Sequence, residues 1–140
     1  MPLLEQAGSI DNPSRIINLG SVMGTQPLAD DAYSYPASKA AVHHLTRTLA
    51  GEFAGRHVTV NAFAPGVVDT PMWIGLNEDI RAIDNRAADA DPMSEFATNT
   101  LIGRPATPAE LAPFLVYLAS GESDYMTGQM YMVDGGQILV

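Results

Sequence analysis

Short apolar runs separated by longer periodic stretches predict three strands in this chain. "RIINLGS", residues 15–21, is an apolar run closed by glycine and serine, which is typical of a buried parallel strand. "HVTVNAF", residues 57–63, alternates and is rich in β-branched residues, so it predicts a second strand. "GQMYMVDGG", residues 128–136, predicts a third strand that ends at two glycines.

Helical spacing dominates the stretch between the first two strands. Residues 34–53 carry an apolar stripe at four-residue spacing, which we interpret as core or interface. The stripe consists of Ala37, Ala41, Leu45 and Leu49. Pro36 fits only in the first turn of this helix, where its missing N–H is not needed. Tyr35 is therefore expected at the helix start and Lys39 one turn further along.

Two further helices are predicted between the second and third strands. "TPAELAPFLVYLAS", residues 107–120, opens with Thr107 and Glu110 at the spacing of a capping box, and its apolar residues continue to its last turn. Residues 72–103 are weakly patterned, and we predict one helix within them, over residues 78–88.

The order of these elements predicts an α/β fold with a three-stranded parallel sheet and helices on its faces. In such sheets, ligands bind outside the carboxyl ends of the strands. Ser21 ends the first strand, "PGVVDT", residues 65–70, follows the second, and Tyr35 begins the first connecting helix. We therefore expect the functional site at this edge of the sheet.

Composition and charge limit the kinds of partner and the cellular location to be expected for this chain. A length of 140 residues suits a single domain over residues 1–140. The formal net charge of −9 argues against a nucleic-acid partner. No apolar run approaches the roughly 18 residues of a membrane span, so no membrane partner is expected. The start lacks the basic and apolar regions of a signal peptide and the chain has no cysteine, so we predict a cytoplasmic protein.

The histidines do not predict a metal site. His43 and His44 are adjacent, so their side chains diverge by about 100° around a helix and cannot bind one ion together. We interpret both as solvated surface residues.

Tyr35 and Lys39 form a pair suited to proton transfer. They are four residues apart, which places them on one face of a helix. A phenol with an ordinary pKa near 10 is a poor acid or base at pH 7 unless a nearby cation stabilises its phenolate. The Ser21 hydroxyl adds a donor for a substrate carbonyl oxygen. None of the three groups can accept a hydride, so carbonyl chemistry here requires a cofactor.

Each of these residues also has a plainer interpretation. Ser21 alone would be a turn residue at a strand end, and Tyr35 alone an amphipathic anchor. A hydrolase nucleophile at Ser21 is disfavoured because "GSVMG" lacks the G-x-S-x-G spacing.

Five ordered segments across residues 15–136 resemble the short-chain dehydrogenase/reductase family. They are "NLGSVMG", "YPASK" fourteen residues after the serine, "VNAFAPGVVDTPM", "GRPATPAELAPFLVYLAS" and "TGQMYMVDGG". The resemblance implies the C-terminal part of a Rossmann-like doubly wound sheet. It also implies an NAD(P)-dependent oxidoreductase that transfers a hydride between nicotinamide and a small-molecule carbonyl or alcohol.

The resemblance assigns three catalytic roles. It makes Tyr35 the general acid in reduction and the base in oxidation. It makes Lys39 the cation that stabilises the phenolate and holds the nicotinamide ribose, so that both residues also contact the cofactor. It makes Ser21 the residue that orients the substrate carbonyl.

The resemblance further implies cofactor and substrate contacts. The cofactor residues are Pro65, Gly66, Val68 and Thr70, with the Val68 backbone at the nicotinamide carboxamide. The substrate residues are Met23, Met72 and Trp73, the last two in a variable substrate loop over about residues 71–103. The 35–53 helix and the C-terminal strand correspond to oligomer contacts in the family, which predicts a homo-oligomer.

Some family elements have no counterpart in this sequence. The glycine-rich turn that holds the pyrophosphate, the Asn-Asn-Ala-Gly segment and the catalytic asparagine do not occur. Met1 corresponds to an internal family position, so the domain is expected to be N-terminally truncated, and the choice between NAD and NADP is open. The alternative is an inactive fragment or a noncatalytic oligomerisation or interaction module of the same fold.

Overall fold

The predicted three-stranded sheet is present in the computed structural model, which describes residues 2–28, 33–83 and 91–139. Within these ranges, strands β1 (Ser14–Leu19), β2 (Val58–Pro65) and β3 (Met130–Val133) pair in parallel in the order β1-β2-β3. Strand β1 ends before Gly20 and Ser21, which the sequence pattern includes in it. The α/β prediction is confirmed.

Strand β2 is the centre of the core. It pairs with β1 on one side and β3 on the other, and Val60, Ala62 and Ala64 have no exposed surface. Its side chains alternate between the two faces of the sheet. Val60 lies opposite Ile16 of β1 and packs with it on one face, whereas Phe63 lies opposite Tyr131 of β3 and packs with it on the other.

Helices α1 (Pro2–Ala7) and α2 (Ser34–Phe53) cover the first face. The bounds of α2 agree with the predicted 34–53. The apolar cluster beneath these helices consists of Leu4, Ile16, Leu49, Ala50, Phe53, Val58 and Val60. Burial of this apolar surface fixes α2 against the sheet.

Of the four residues in the predicted apolar stripe of α2, only Leu49 packs on the sheet. Ala37, Ala41 and Leu45 are exposed, the last with 49% of its surface. The buried residues of α2 are His43, Thr46, Ala50 and Phe53. Two of these four are polar and hydrogen-bonded, so hydrophobicity alone selects the wrong face as core.

Helix α5 (Pro108–Ala119) covers the opposite face. It packs through Leu111, Leu118 and Phe114 onto Phe63 of β2. The predicted capping box is present, and the Glu110 carboxylate accepts the Thr107 N–H at 2.8 Å. This cap fixes where the helix starts.

The segment after β2 forms two helices, α3 (Met72–Ile83) and α4 (Pro92–Thr98). The single helix predicted over 78–88 is therefore wrong at its start, and its residues 84–88 lie outside the described residues. Helix α4 is a short element that the pattern missed. It is capped by the Asp91 carboxylate, which accepts the Ser94 N–H at 3.4 Å, and it has Pro92 in its first turn.

None of the helices in the described ranges has the length and apolar character needed to cross a membrane.

Candidate active site

The carboxyl ends of the three strands meet at one edge of the sheet. Beyond β1, the Gly20 N–H donates to the Phe63 carbonyl of β2 at 2.7 Å. Beyond β2, the Gly66 N–H donates to the Val133 carbonyl of β3 at 3.3 Å. These bonds place the turn that begins at Ser21 next to the segment 66–70.

Tyr35 and Lys39 lie at the start of α2 and contact each other. The Lys39 Nζ lies 5.6 Å from the centroid of the Tyr35 ring and donates to the Leu19 carbonyl at 3.0 Å. The ammonium is thus fixed between the helix and the end of β1. The Tyr35 side chain is 41% exposed, and its hydroxyl has no hydrogen-bond partner within the described residues.

Ser21 is buried at the start of a 3₁₀ turn, residues 22–24. Its side-chain oxygen accepts the Met23 N–H at 3.2 Å, and its own N–H donates to the His43 Nε2 at 3.4 Å. A hydroxyl that accepts from the turn still has its proton to donate to a ligand. Ser21 is joined to the same helix as Tyr35 and Lys39, through His43.

His43 is buried, so the prediction of a solvated side chain is wrong for this residue and holds only for His44. Burial is the main cause that lowers the pKa of His43 below 6.5, and the charges of Arg47 and Lys39 lower it further. A hydrogen bond to the Gly24 backbone acts in the opposite direction. His43 is therefore neutral at pH 7. One signal in the sequence could have indicated this, since His43 lies four residues after Lys39 and eight after Tyr35.

The segment after β2 presents free backbone groups. The residues on either side of Val68 are hydrogen-bonded to Ala106. The Asp69 N–H donates to the Ala106 carbonyl at 2.8 Å, and the Ala106 N–H donates to the Val67 carbonyl at 2.9 Å. The Val68 N–H and C=O have no partner within the described residues. One donor and one acceptor side by side match a primary carboxamide.

Gly66 and Thr70 have structural contacts. A Cβ on Gly66 would lie 2.7 Å from the Gln137 Oε1 and 2.9 Å from the Asp134 Cα, so the close approach of the segment after β3 already requires glycine there. The Thr70 carbonyl accepts the Trp73 N–H at 3.0 Å at the start of α3. Pro65 is the last residue of β2.

The three predicted substrate residues differ in exposure. Met23 is half-buried in the turn after Ser21, and Met72 is 60% exposed at the start of α3. Trp73 is buried and packs on Phe96 of α4, with ring centroids 5.8 Å apart. Trp73 thus holds α3 to α4 instead of presenting an open surface.

In the described part of the chain, no three His, Cys, Asp or Glu side chains lie close enough together to bind one metal ion.

The chain is similar to known proteins over most of its length. A family model described as enoyl-(acyl carrier protein) reductase matches residues 2–137. The rhamnolipids biosynthesis 3-oxoacyl-(acyl-carrier-protein) reductase of Pseudomonas aeruginosa is 39% identical over 136 residues, which cover 97% of this chain and 49% of that protein. The galactitol 2-dehydrogenase (L-tagatose-forming) of Cereibacter sphaeroides is 44% identical over 122 residues, which cover 86% and 44%.

Solved structures give the same result. The Pseudomonas aeruginosa RhlG/NADP active-site complex has a TM-score of 0.82 at 37% identity, covering 99% of this chain and 52% of that chain. L-sorbose reductase from Gluconobacter frateurii, complexed with NADPH and L-sorbose, has a TM-score of 0.80 at 29% identity, covering 99% and 51%. The chain spans about half the length of the curated relatives it matches.

The matched family model covers almost the whole sequence, and solved relatives share the sheet and its helices. The chain therefore belongs to the short-chain dehydrogenase/reductase family.

Proposed function

We propose that this chain carries the catalytic groups of an NAD(P)-dependent oxidoreductase that interconverts a carbonyl compound and an alcohol. The observation that carries the proposal is the Tyr35–Lys39 pair. Its ammonium lies 5.6 Å from the phenol ring and is anchored to the Leu19 carbonyl, at the sheet edge where Ser21 also lies.

Tyr35 is the proton donor in reduction and the proton acceptor in oxidation. The Lys39 charge stabilises the phenolate that remains after Tyr35 gives its proton to the carbonyl oxygen. The Ser21 hydroxyl donates to the same oxygen as negative charge develops on it. When bound, the nicotinamide supplies or accepts the hydride.

The residues present fit the nicotinamide end of the cofactor. Lys39 uses one of its three donors on Leu19 and keeps two for ribose hydroxyls. The free N–H and C=O of Val68 suit the carboxamide. Tyr35, Pro65, Gly66 and Thr70 complete the proposed contact surface. NAD and NADP are both compatible, and NADP(H) comes first for testing because both structural relatives named above are complexes with it.

The substrate is proposed only as a small-molecule carbonyl or alcohol. By their names, the relatives act on chemically different compounds, namely a 3-oxoacyl group on acyl carrier protein, galactitol and L-sorbose. We propose that Met23 and Met72 contact the substrate. Trp73 supports this surface by packing on α4.

A noncatalytic oligomerisation module is the second candidate. One observation favours it, since α2 leaves Ala37, Ala41 and Leu45 exposed on one face. We propose that this face of α2, together with β3, contacts a second copy of the chain. The two candidates are compatible if the assembled chain also binds the cofactor.

The first test is cofactor binding by the 140-residue chain. Titration with NADPH and with NADH is followed by energy transfer from Trp73, the only tryptophan. Saturable binding supports the oxidoreductase. A folded chain that binds neither nucleotide favours the noncatalytic module.

The second test is turnover of a carbonyl panel by two proteins, the chain alone and the chain joined to the amino-terminal half of the Pseudomonas reductase. We expect Tyr35→Phe to lower kcat by roughly 10²–10⁴-fold, the typical contribution of a general acid, with cofactor affinity nearly unchanged. Lys39→Ala should lower both kcat and the affinity for the cofactor. Tyr33→Phe is the matched control, because Tyr33 is 78% exposed and precedes the helix. Appreciable turnover by Tyr35→Phe would contradict the assignment.

A further inference from the structure

A buried histidine that the proposed reaction does not use connects two of its catalytic groups. On α2, His43 follows Lys39 by one turn and Tyr35 by two, so the three side chains lie along one face of the helix. His43 is only 5% exposed. A buried imidazole on this face has a specific partner in the turn that carries Ser21.

The imidazole lies between the end of β1 and the turn 22–24. Its Nε2 accepts the Ser21 N–H at 3.4 Å, and the Gly24 backbone lies close enough to hydrogen-bond the ring. The ring fits against two glycines. A Cβ on Gly20 would lie 2.6 Å from Nε2, and a Cβ on Gly24 would lie 2.6 Å from Cε1.

The bond from Ser21 requires one protonation state of the ring. Nε2 accepts the Ser21 N–H, so it carries no proton, and the neutral ring must hold its proton on Nδ1. If Nε2 were also protonated, two N–H donors, one from Ser21 and one from His43, would face each other and the hydrogen bond would be lost. The Ser21 turn is therefore held by neutral His43 and released by its protonated form.

We propose that neutral His43 is a positioning residue that fixes Ser21 through its backbone N–H, and that acid releases Ser21 by protonating the ring. This inference rests on the proposed function of Ser21 as a donor to the substrate oxygen. His43 does not touch substrate in this scheme and acts only through the turn.

The charges around His43 support the neutral form. Lys39 and Arg47, one turn before and after it on α2, are the charged groups that face it. The turn 22–24 and strand β2 contribute no titratable side chain, and Arg15 of β1 lies at the far end of that strand in an ion pair with Asp124. Two nearby cations and burial lower the pKa of His43, so release of Ser21 requires acidic conditions.

Two substitutions separate positioning from packing. His43→Leu keeps a buried apolar side chain but removes the acceptor of the Ser21 N–H. His43→Gln keeps an acceptor near the position of Nε2 but does not titrate. His44→Gln and His57→Gln are controls, because both of these histidines are exposed.

The first measurement uses the 140-residue chain and needs no activity. Nitrogen NMR of labelled histidine identifies the protonated ring nitrogen, and hydrogen exchange reports on the Ser21 amide. We expect an Nδ1–H tautomer at pH 7. We expect Ser21 exchange to accelerate by roughly tenfold in His43→Leu, the factor that one lost hydrogen bond is worth, and to stay slow in His43→Gln. A proton on Nε2, or unchanged Ser21 exchange in His43→Leu, would overturn the proposal.

The second measurement is kinetic and uses whichever protein shows turnover. For His43→Leu we expect kcat to fall by about 10- to 100-fold, because a misplacement of about 1 Å at a catalytic group has this effect, while KM for NADPH changes little. His43→Gln should restore kcat and remove the acidic limb of the kcat–pH profile that His43 causes. An unchanged profile in His43→Gln would overturn the proposal. Full turnover by Tyr35→Phe would instead overturn the proposed function, independently of the Ser21 exchange result.

Discussion

At the scale of single residues, Gly24 near the candidate site is required because no side chain fits there. A Cβ on Gly24 would lie 2.7 Å from the Lys39 carbonyl carbon and 2.8 Å from its oxygen. These are backbone atoms of α2, which cannot move as a flexible side chain would. The turn that carries Ser21 therefore rests directly on the helix turn that carries Lys39.

We predict opposite effects for two Gly→Ala substitutions. Gly24→Ala should lower the free energy of unfolding by about 1–3 kcal/mol, the usual cost of overpacking. Gly51→Ala should raise it by about 0.5–1 kcal/mol, because Gly51 lies within α2 and nothing is within 4 Å of the added Cβ. Urea unfolding of both variants checks this, and equal stabilities would contradict the contact at Gly24.

The predictability of site residues from sequence depends on their chemistry. Tyr35 and Lys39 are predictable from four-residue spacing, and the structure places them in contact. Their roles, like that of Ser21, stay predictions. His43 is not predictable from the pattern, because a lone histidine on an amphipathic helix gives no indication that a backbone N–H from another segment meets its ring.

At the scale of elements, a polar pair joins α2 to β1. The Thr46 hydroxyl donates to the Val42 carbonyl at 2.8 Å and accepts from the Asn18 Nδ2 at 2.9 Å. Thr46 is 1% exposed. The pair holds the helix in register with the strand that leads to Ser21.

We expect Thr46→Val to lower the free energy of unfolding by about 1–3 kcal/mol, because it leaves the Asn18 amide without this acceptor. Thr48→Val is the matched control. Thr48 makes the same backbone bond to the His44 carbonyl, at 3.2 Å, but is exposed, so its effect should stay within about 0.5 kcal/mol. Thermal unfolding of the two variants makes the comparison, and similar losses would argue against the pair.

The cap of α5 predicts a pH dependence. The Arg104 guanidinium, bonded to the Glu110 carboxylate at 2.5 and 3.0 Å, and the Thr107 N–H lower the pKa of Glu110 from 4.5 to about 2. The unfolded chain binds this proton more readily than the folded chain. The stabilisation is therefore complete above about pH 4.5 and is lost as the pH falls to about 2.

We therefore expect Glu110→Gln to be less stable than the parent at pH 7, with the difference disappearing near pH 2. Melting temperatures measured across this range test the prediction. Glu122→Gln, in the exposed turn after α5, is the control and should follow the parent throughout. A difference that persists undiminished at pH 2 would show that the carboxylate is not the cause.

The elements differ in how far the sequence predicts them. The bounds of α2 agree because Pro36 limits where it can start, but its buried face is missed because His43 and Thr46 are polar. Helix α4 is missed because it has only seven residues and its cap lies in a stretch without apolar periodicity.

At the scale of the whole molecule, the exposed face of α2 predicts self-association. Ala37, Ala41 and Leu45 form an apolar surface on a helix whose opposite face is already packed on the sheet. We expect a defined oligomer in sedimentation velocity, because burial of such a surface is favourable.

Leu45→Lys should shift this oligomer towards monomer, since it places a charge in the proposed contact. Val116→Lys is the matched control, because Val116 is 68% exposed on α5, on the other side of the sheet. If the oligomer persists in Leu45→Lys, or if Val116→Lys disrupts it equally, the interface does not lie on this face of α2.

The fold class was predictable because the order of strands and helices determines it with few alternatives. That Ser21, Tyr35 and Lys39 lie at one edge of the sheet was predictable for the same reason, since parallel strands bring their carboxyl ends together. Side-chain contacts between distant segments, such as Ser21 with His43, depend on how the elements pack and leave no local pattern.

The central position of β2 has a consequence for how the chain folds during synthesis. The Val60 N–H bonds to the Thr127 hydroxyl, 67 residues later, and the Asn61 side chain accepts the Gln129 N–H, 68 residues later. At about 5–20 residues per second, the ribosome takes several seconds between these partners. During that interval β2 has one unpaired edge. Phe63 lacks the covering helix α5 for most of the interval and lacks β3 throughout it. Such non-local pairing makes folding slow, and the unpaired edge leaves the nascent chain prone to aggregation until β3 emerges.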